Sequence, residues 1–248
     1  MKNSIKTALV AFVALFANTF VVAQDAQPAK TPDTFKMNLV ENVSFYNFDD
    51  GQIVQWNTNL DFKLAENVKV DVALPVYNQS TFINSATGVG DVDVTFTLQN
   101  VATMGKVTVD LIGGVGIPLG GDYSSSEAVF TFGGNVGYAW DSFTLSQTVK
   151  YDLVDDYTYV PILGGFVSDN IFEGITTLKY DANNEFSVAA NVGQYYTDGE
   201  STITVGPSVA YKVTSNIDLH GGVDFILNDD LDAEDMDTVV SFGVGFKF

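Results

Sequence analysis

Apolar and polar residues alternate with a period of two along almost the whole chain after residue 36, and this feature excludes most architectures. In TVVSFGVGFKF, residues 238–248, one face carries Val240, Phe242, Val244, Phe246 and Phe248, the other Val239, Ser241, Gly243, Gly245 and Lys247. That period belongs to a β-strand with one apolar face. Residues 201–214 repeat it, with Ile203, Val205, Pro207, Val209, Tyr211 and Val213 against Thr204, Gly206, Ser208, Ala210 and Lys212. Residues 216–228 set Ile217, Leu219, Gly221, Val223, Phe225 and Leu227 against Asp218, His220, Gly222, Asp224 and Ile226. No segment shows a convincing helical period, so the fold class is all-β.

Clusters of Gly, Asp, Asn and Ser divide the chain into twelve expected strands, near 36–48, 52–64, 67–78, 88–101, 106–118, 128–140, 142–154, 171–181, 185–197, 201–214, 216–228 and 238–248. Residues 157–167, YTYVPILGGFV, have the composition of a further strand, and fourteen would follow if it found a partner. In the first strand, the apolar set of Met37, Leu39, Val43 and Phe45 also contains Glu41, which predicts a bulge or a misplaced boundary there.

Alternation alone does not say which face is inside. The polar face does, because it consists of Gly, Ser, Thr, Asn and Asp with an occasional Lys, whereas water-facing exteriors are heavy in Lys and Glu. Size agrees: about eight strands already enclose a space that side chains fill, so twelve with an apolar interior would leave a void. After residue 23 no run approaches the roughly 18 consecutive apolar residues of a membrane helix. The expectation is a transmembrane antiparallel up-and-down β-barrel of about twelve strands, occupying residues 36–248, with apolar rows in lipid and small polar rows around water.

Residues 1–23 read as a cleaved signal peptide: Lys2 and Lys6, an apolar run, then Val21-Val22-Ala23 as the cleavage site. Residues 24–35, QDAQPAKTPDTF, read as a flexible periplasmic leader. The chain has no Cys, which removes thiol chemistry and thiolate metal sites. Without the signal it carries nine Lys against 31 acidic residues, a net charge of −22 that repels nucleic acid. Connections alternate between tight turns at one end and mostly longer loops at the other, and the long-loop set is acidic. That split predicts periplasmic turns and an acidic outer rim. Aromatics near strand ends suggest two interfacial girdles, Tyr46, Phe48, Trp56, Tyr77, Tyr195 and Tyr196 on the outer side, Trp140, Phe143, Tyr180, Phe186, Tyr211 and Phe246 near the turns. Phe242, Phe246 and Phe248 in the final strand read as an assembly signal for the barrel-assembly machinery of a Gram-negative outer membrane, with membrane lipid and lipopolysaccharide as the other expected partners.

TGVGDVDVTFTLQN (87–100) and GGVGIPLGGD (113–122) carry a Gly-x-Gly-Asp entering a strand and a later Gly-rich strand end with a Pro. In these two motifs the chain resembles an outer-membrane family of meta-pathway phenol-degradation transporters. The resemblance implies passage of small aromatic or hydrophobic molecules across the outer membrane. On the residues alone, Gly88 and Gly90 permit a kink or bulge at the rim, and Asp91 and Asp93 face inward as a mouth-lining acidic pair.

Parity also sends Asp61, Lys63, Asp110, Lys150, Asp152, Lys212, Asp218, His220 and Asp224 into the lumen as solute-path candidates, with Lys69, Asp71, Glu173, Lys179 and Lys247 beside them. Asp61 with Lys69 and Lys212 with Asp218 are expected to pair across hairpins. His220, the one imidazole, lies near a short turn, away from the outer rim or lipid face where barrel hydrolases place their catalytic groups. No catalytic site and no cofactor is therefore expected. Asp229, Asp230, Asp232 and Asp235 in NDDLDAEDMD (228–237) are candidate divalent-metal ligands, although the loop lacks EF-hand spacing. The functional expectation is a porin-like channel or facilitated transporter for small neutral or cationic solutes. The alternative is a structural or adhesive barrel with a plugged lumen and acidic working loops.

Overall fold

Strands follow the alternation closely in the computed structural model, which describes residues 37–48, 51–81, 85–163, 165–197, 200–229 and 238–248. The signal peptide, the leader, and Asp230, Asp232 and Asp235 of the acidic loop lie outside the described residues, as does the Asp229 side chain. The strands are β1 (Met37–Phe48), β2 (Gly51–Ala65), β3 (Val68–Thr81), β4 (Ser85–Val89), β5 (Val92–Met104), β6 (Val107–Ile117), β7 (Val129–Trp140), β8 (Phe143–Leu153), β9 (Thr158–Val160), β10 (Gly165–Val167), β11 (Ile171–Asp181), β12 (Phe186–Thr197), β13 (Glu200–Lys212), β14 (Ile217–Asp229) and β15 (Thr238–Lys247).

β4 and β5 form one strand interrupted at Gly90-Asp91, where Gly90 N–H donates to the Pro75 carbonyl at 3.0 Å. Counted so, twelve antiparallel strands run around the wall in chain order, and β1 pairs with both β2 and β15 to close it. The segment 157–167 adds no stave. It folds as the β9–β10 hairpin around a 3₁₀ turn, Pro161–Leu163, within the connection from β8 to β11.

The inside-out reading holds. Phe242 is 59% exposed, Val209 48% and Phe225 46%, all on outward rows, while Thr202 and Thr204, whose side chains point inward, are 2% and 4% exposed. Removing this much apolar surface from water is what hydrocarbon offers, so the outward rows specify a membrane solvent. At the short-turn end Tyr138, Trp140, Phe143 and Tyr180 form a chain of rings with centroids 4.8–5.6 Å apart on the lipid face. The opposite girdle needs correction: Trp56 and Tyr196 face outward, but the register turns Tyr46, Tyr77 and Tyr195 into the lumen. Strand-end position does not determine face; parity does.

β1 is regular throughout, without the bulge expected at Glu41. Glu41 stays on the outward face, accepting from Trp56 Nε1–H at 2.6 Å and Thr58 Oγ–H at 3.0 Å. Two neighbours on the same face satisfy the carboxyl, which offsets the cost of holding a polar group toward lipid.

Candidate functional site in the lumen and its mouth

The register keeps Asp61, Lys63, Asp93, Asp110, Lys150, Asp152, Lys212, Asp218, His220 and Asp224 on the inner rows, while Asp91 lies in the break between β4 and β5. Asp61 and Lys69 pair at 3.3 Å as expected, and Asp71 joins at 2.6 Å from the same ammonium. The Lys212–Asp218 ion pair does not form. The two residues are opposite in register, but Asp218 is engaged by Lys247 from the adjoining strand. Lys150 binds Glu173 at 3.2 Å, and Asp152 accepts from Thr131 Oγ–H at 2.6 Å. Asp110 accepts from the Asn100 backbone N–H at 2.8 Å, stabilising a bulge whose Asn100 has φ of 55°. Lys63 lies on the same inner row as Asp61, and Asp224 stands beside Gly206 on the inner wall.

Midway along the strands the inner rows carry Gly114, Gly133, Gly206, Gly222, Ser208 and Ser241, with Asn57, Thr95, Asn135, Thr148, Thr177 and Asn191 among them. These side chains are too short to meet across a twelve-strand barrel. Lower down, His220 and Asn42 touch over Gly243, the residue paired with both.

The long-loop end is built differently. Asp91, expected as half of a mouth-lining pair, is buried and holds the loop 118–128 folded inward. It accepts from Ser124 Oγ–H at 2.7 Å, from Ser125 N–H at 3.0 Å, and from Ser125 Oγ–H. Ser124 Oγ in turn accepts from the backbone N–H groups of Leu119 and Gly120 at 3.0 and 3.2 Å. Asp93 remains on the wall beside Gly116.

The folded loop presents Tyr123 to Tyr77 of β3, ring centroids 5.2 Å apart, and the β9–β10 hairpin adds Tyr159, 5.0 Å from Tyr77 and 4.8 Å from Tyr123. Ile53 and Tyr46 pack beneath the three rings. Gly88 makes the approach possible, since a Cβ there would sit 2.8 Å from the Tyr123 ring. The hairpin is anchored by Val160 and Val167 against Val129, Val154 and Ile171, and Ser126 N–H donates to the Tyr157 carbonyl at 3.3 Å, joining loop to hairpin. Burial raises the Tyr159 phenol above its ordinary range, so it stays protonated. Sequence reasoning missed Tyr123, Ser124, Ser125 and Tyr159; their only signal was an aromatic and serine content unusual for acidic loops.

Among the described residues no group of three or more His, Asp or Glu is arranged to hold a metal ion. The family model described as "Putative MetA-pathway of phenol degradation" matches residues 22–235. The chain belongs to that family. Among solved structures, family-like architecture recurs in an outer membrane channel from Pseudomonas putida F1, with a TM-score of 0.64 at 12% identity over 90% of this chain and 100% of that one. The NanC porin gives 0.58 at 13% identity, covering 85% and 98%, and the KdgM porin 0.51 at 9% identity, covering 86% and 99%. At these identities the likeness is one of fold. No curated protein matches the chain.

Proposed function

We propose that this family member is a passive outer-membrane channel for small solutes, neutral or cationic, hydrophobic and aromatic molecules among them. The observation that carries the reading is the closed barrel whose wall is apolar outward and lined inward by small and polar residues, glycine, serine, threonine and asparagine. Such a lining leaves a wet path along the axis. The charge preference follows from the inner wall. Lys69, Lys150, Lys179 and Lys247 are each held by a carboxylate and Lys63 and Lys212 stand toward the short-turn end, while Asp91, Asp93, Asp152 and Asp224, toward the long-loop end, have no lysine ion pair among the described residues. A net-negative mouth raises the local concentration of cations and excludes anions. The phenol-degradation family supports ring-bearing solutes within that class. The outward Phe242 and Phe246 of the last strand, with Phe248 continuing the row, support recognition by the barrel-assembly machinery, and the outward apolar belt supports contact with membrane lipid and lipopolysaccharide.

A second reading, a structural or adhesive barrel, is favoured by the inward-folded loops at the mouth. Planar bilayers separate the two. A cation-selective conductance is expected from the folded protein, at rest or with an aromatic solute present, and none at all under either condition or after release of the inward-folded mouth loop would overturn the channel reading.

A further inference from the structure

The three rings at the mouth come from three separate pieces of chain: Tyr77 from the wall, Tyr123 from the loop 118–128, Tyr159 from the hairpin. Loop and hairpin therefore meet the wall through ring contacts, tilted or edge-on, at the separations that aromatic pairs prefer. The other hydroxyls of the cluster are engaged. Tyr46 O–H donates to Gln55 Oε1 at 2.7 Å, Gln55 Nε2–H donates to the Tyr77 hydroxyl at 3.4 Å, and Tyr123 O–H donates to Gln79 Oε1 at 3.3 Å. The Tyr159 hydroxyl is different: its oxygen is buried and has no hydrogen-bond partner among the described residues. A buried polar group without a partner is costly to leave so.

We propose that Tyr77, Tyr123 and Tyr159 form a clasp that a phenolic solute opens by taking over its ring contacts and by pairing its hydroxyl with that of Tyr159. This rests on the channel reading and names its selectivity. Parting the rings loses edge-to-face contacts; an aromatic solute entering between them restores those contacts, and a saturated ring of equal size does not. The clasp is thus a selectivity element for aromatic solutes, with the hydroxyl of Tyr159 choosing phenols over plain arenes. The Asp91 bonds to Ser124 and Ser125 tether the loop beside the moving ring, which limits the motion to Tyr123 and its neighbours.

The full chain in planar bilayers, bathed in KCl, tests this with phenol, benzene and cyclohexanol as probes, heat-modifiable electrophoretic mobility reporting that each variant is folded. Phenol is expected to raise the open fraction of the current roughly fivefold more than cyclohexanol, the factor that one aromatic ring contact supplies when both probes carry a hydroxyl. Tyr159→Phe keeps all three rings, so it folds as the parent does; it should respond to benzene unchanged and lose the advantage of phenol over benzene. Tyr123→Leu should conduct without any aromatic present. Equal responses to phenol and cyclohexanol, or a retained phenol advantage in Tyr159→Phe, each overturns the clasp and leaves the channel standing. Absence of current from every folded variant, Tyr123→Leu included, overturns the channel reading itself.

Discussion

Asn42 of β1 and His220 of β14 are separated by a whole strand, yet their side chains meet on the inner wall because the residue between them, on β15, is Gly243. A Cβ at that position would overlap both Asn42 Oδ1 and His220 Nε2. The contact bridges the seam where the last strand joins the first.

Gly243→Ala is accordingly expected to destabilise the barrel by about 1–3 kcal/mol, the range for overpacking. Combined with Asn42→Ala and His220→Ala the same substitution should cost little, since the overlapping atoms are gone. Urea unfolding in lipid vesicles measures both, and additive costs would show that the three residues act independently.

Asp91 tethers the loop 118–128 by a carboxylate that receives both hydroxyls and one backbone N–H. Asp91→Ala leaves Ser124 and Ser125 buried without that acceptor, at about 1–3 kcal/mol of local stability. Cleavage after Glu127 by a glutamyl endopeptidase should accelerate in the folded variant. Unchanged cleavage would mean the ring contacts alone hold the loop.

Asp93→Asn removes an ionisable carboxyl from the lumen wall without changing its shape, and in alkaline KCl this amounts to one negative charge. The ratio of cation to anion permeability, read from the reversal potential in a KCl gradient, should fall roughly tenfold, because a unit charge about 6 Å away in water changes cation and anion about threefold each and in opposite senses. A ratio that stays constant would place the selectivity elsewhere.

Val192 of β12 faces outward near the middle of its strand, while Ala189 faces inward. Val192→Lys is expected to cost about 2–4 kcal/mol in vesicle unfolding experiments, and Ala189→Lys far less. Equal costs would contradict the assignment of faces.

The motif Gly88-Val89-Gly90-Asp91 shows how far local pattern reaches. Its glycines and parity announce a bulge with an inward Asp91, and the bulge is there. They do not announce that Asp91 takes its partners from Ser124 and Ser125, more than thirty residues away, because nothing local specifies which loop returns to which rim. Lys212 shows the same boundary: its opposite number across the hairpin is Asp218, but a strand from the far end of the chain supplies the better cation, Lys247.

Alternation by itself determined that this chain makes strands, that the strands close into a barrel, and that the apolar rows face lipid, since a period of two assigns every side chain to one of two faces and twelve strands are too many to fill from within. Only the tertiary structure decided which aromatics look inward, that residues 157–167 become a hairpin lying over the mouth instead of a stave, and that Tyr77, Tyr123 and Tyr159 meet. Those outcomes depend on loops folding back across the lumen, and loop position is set by contacts between residues distant in the chain, which no local period encodes.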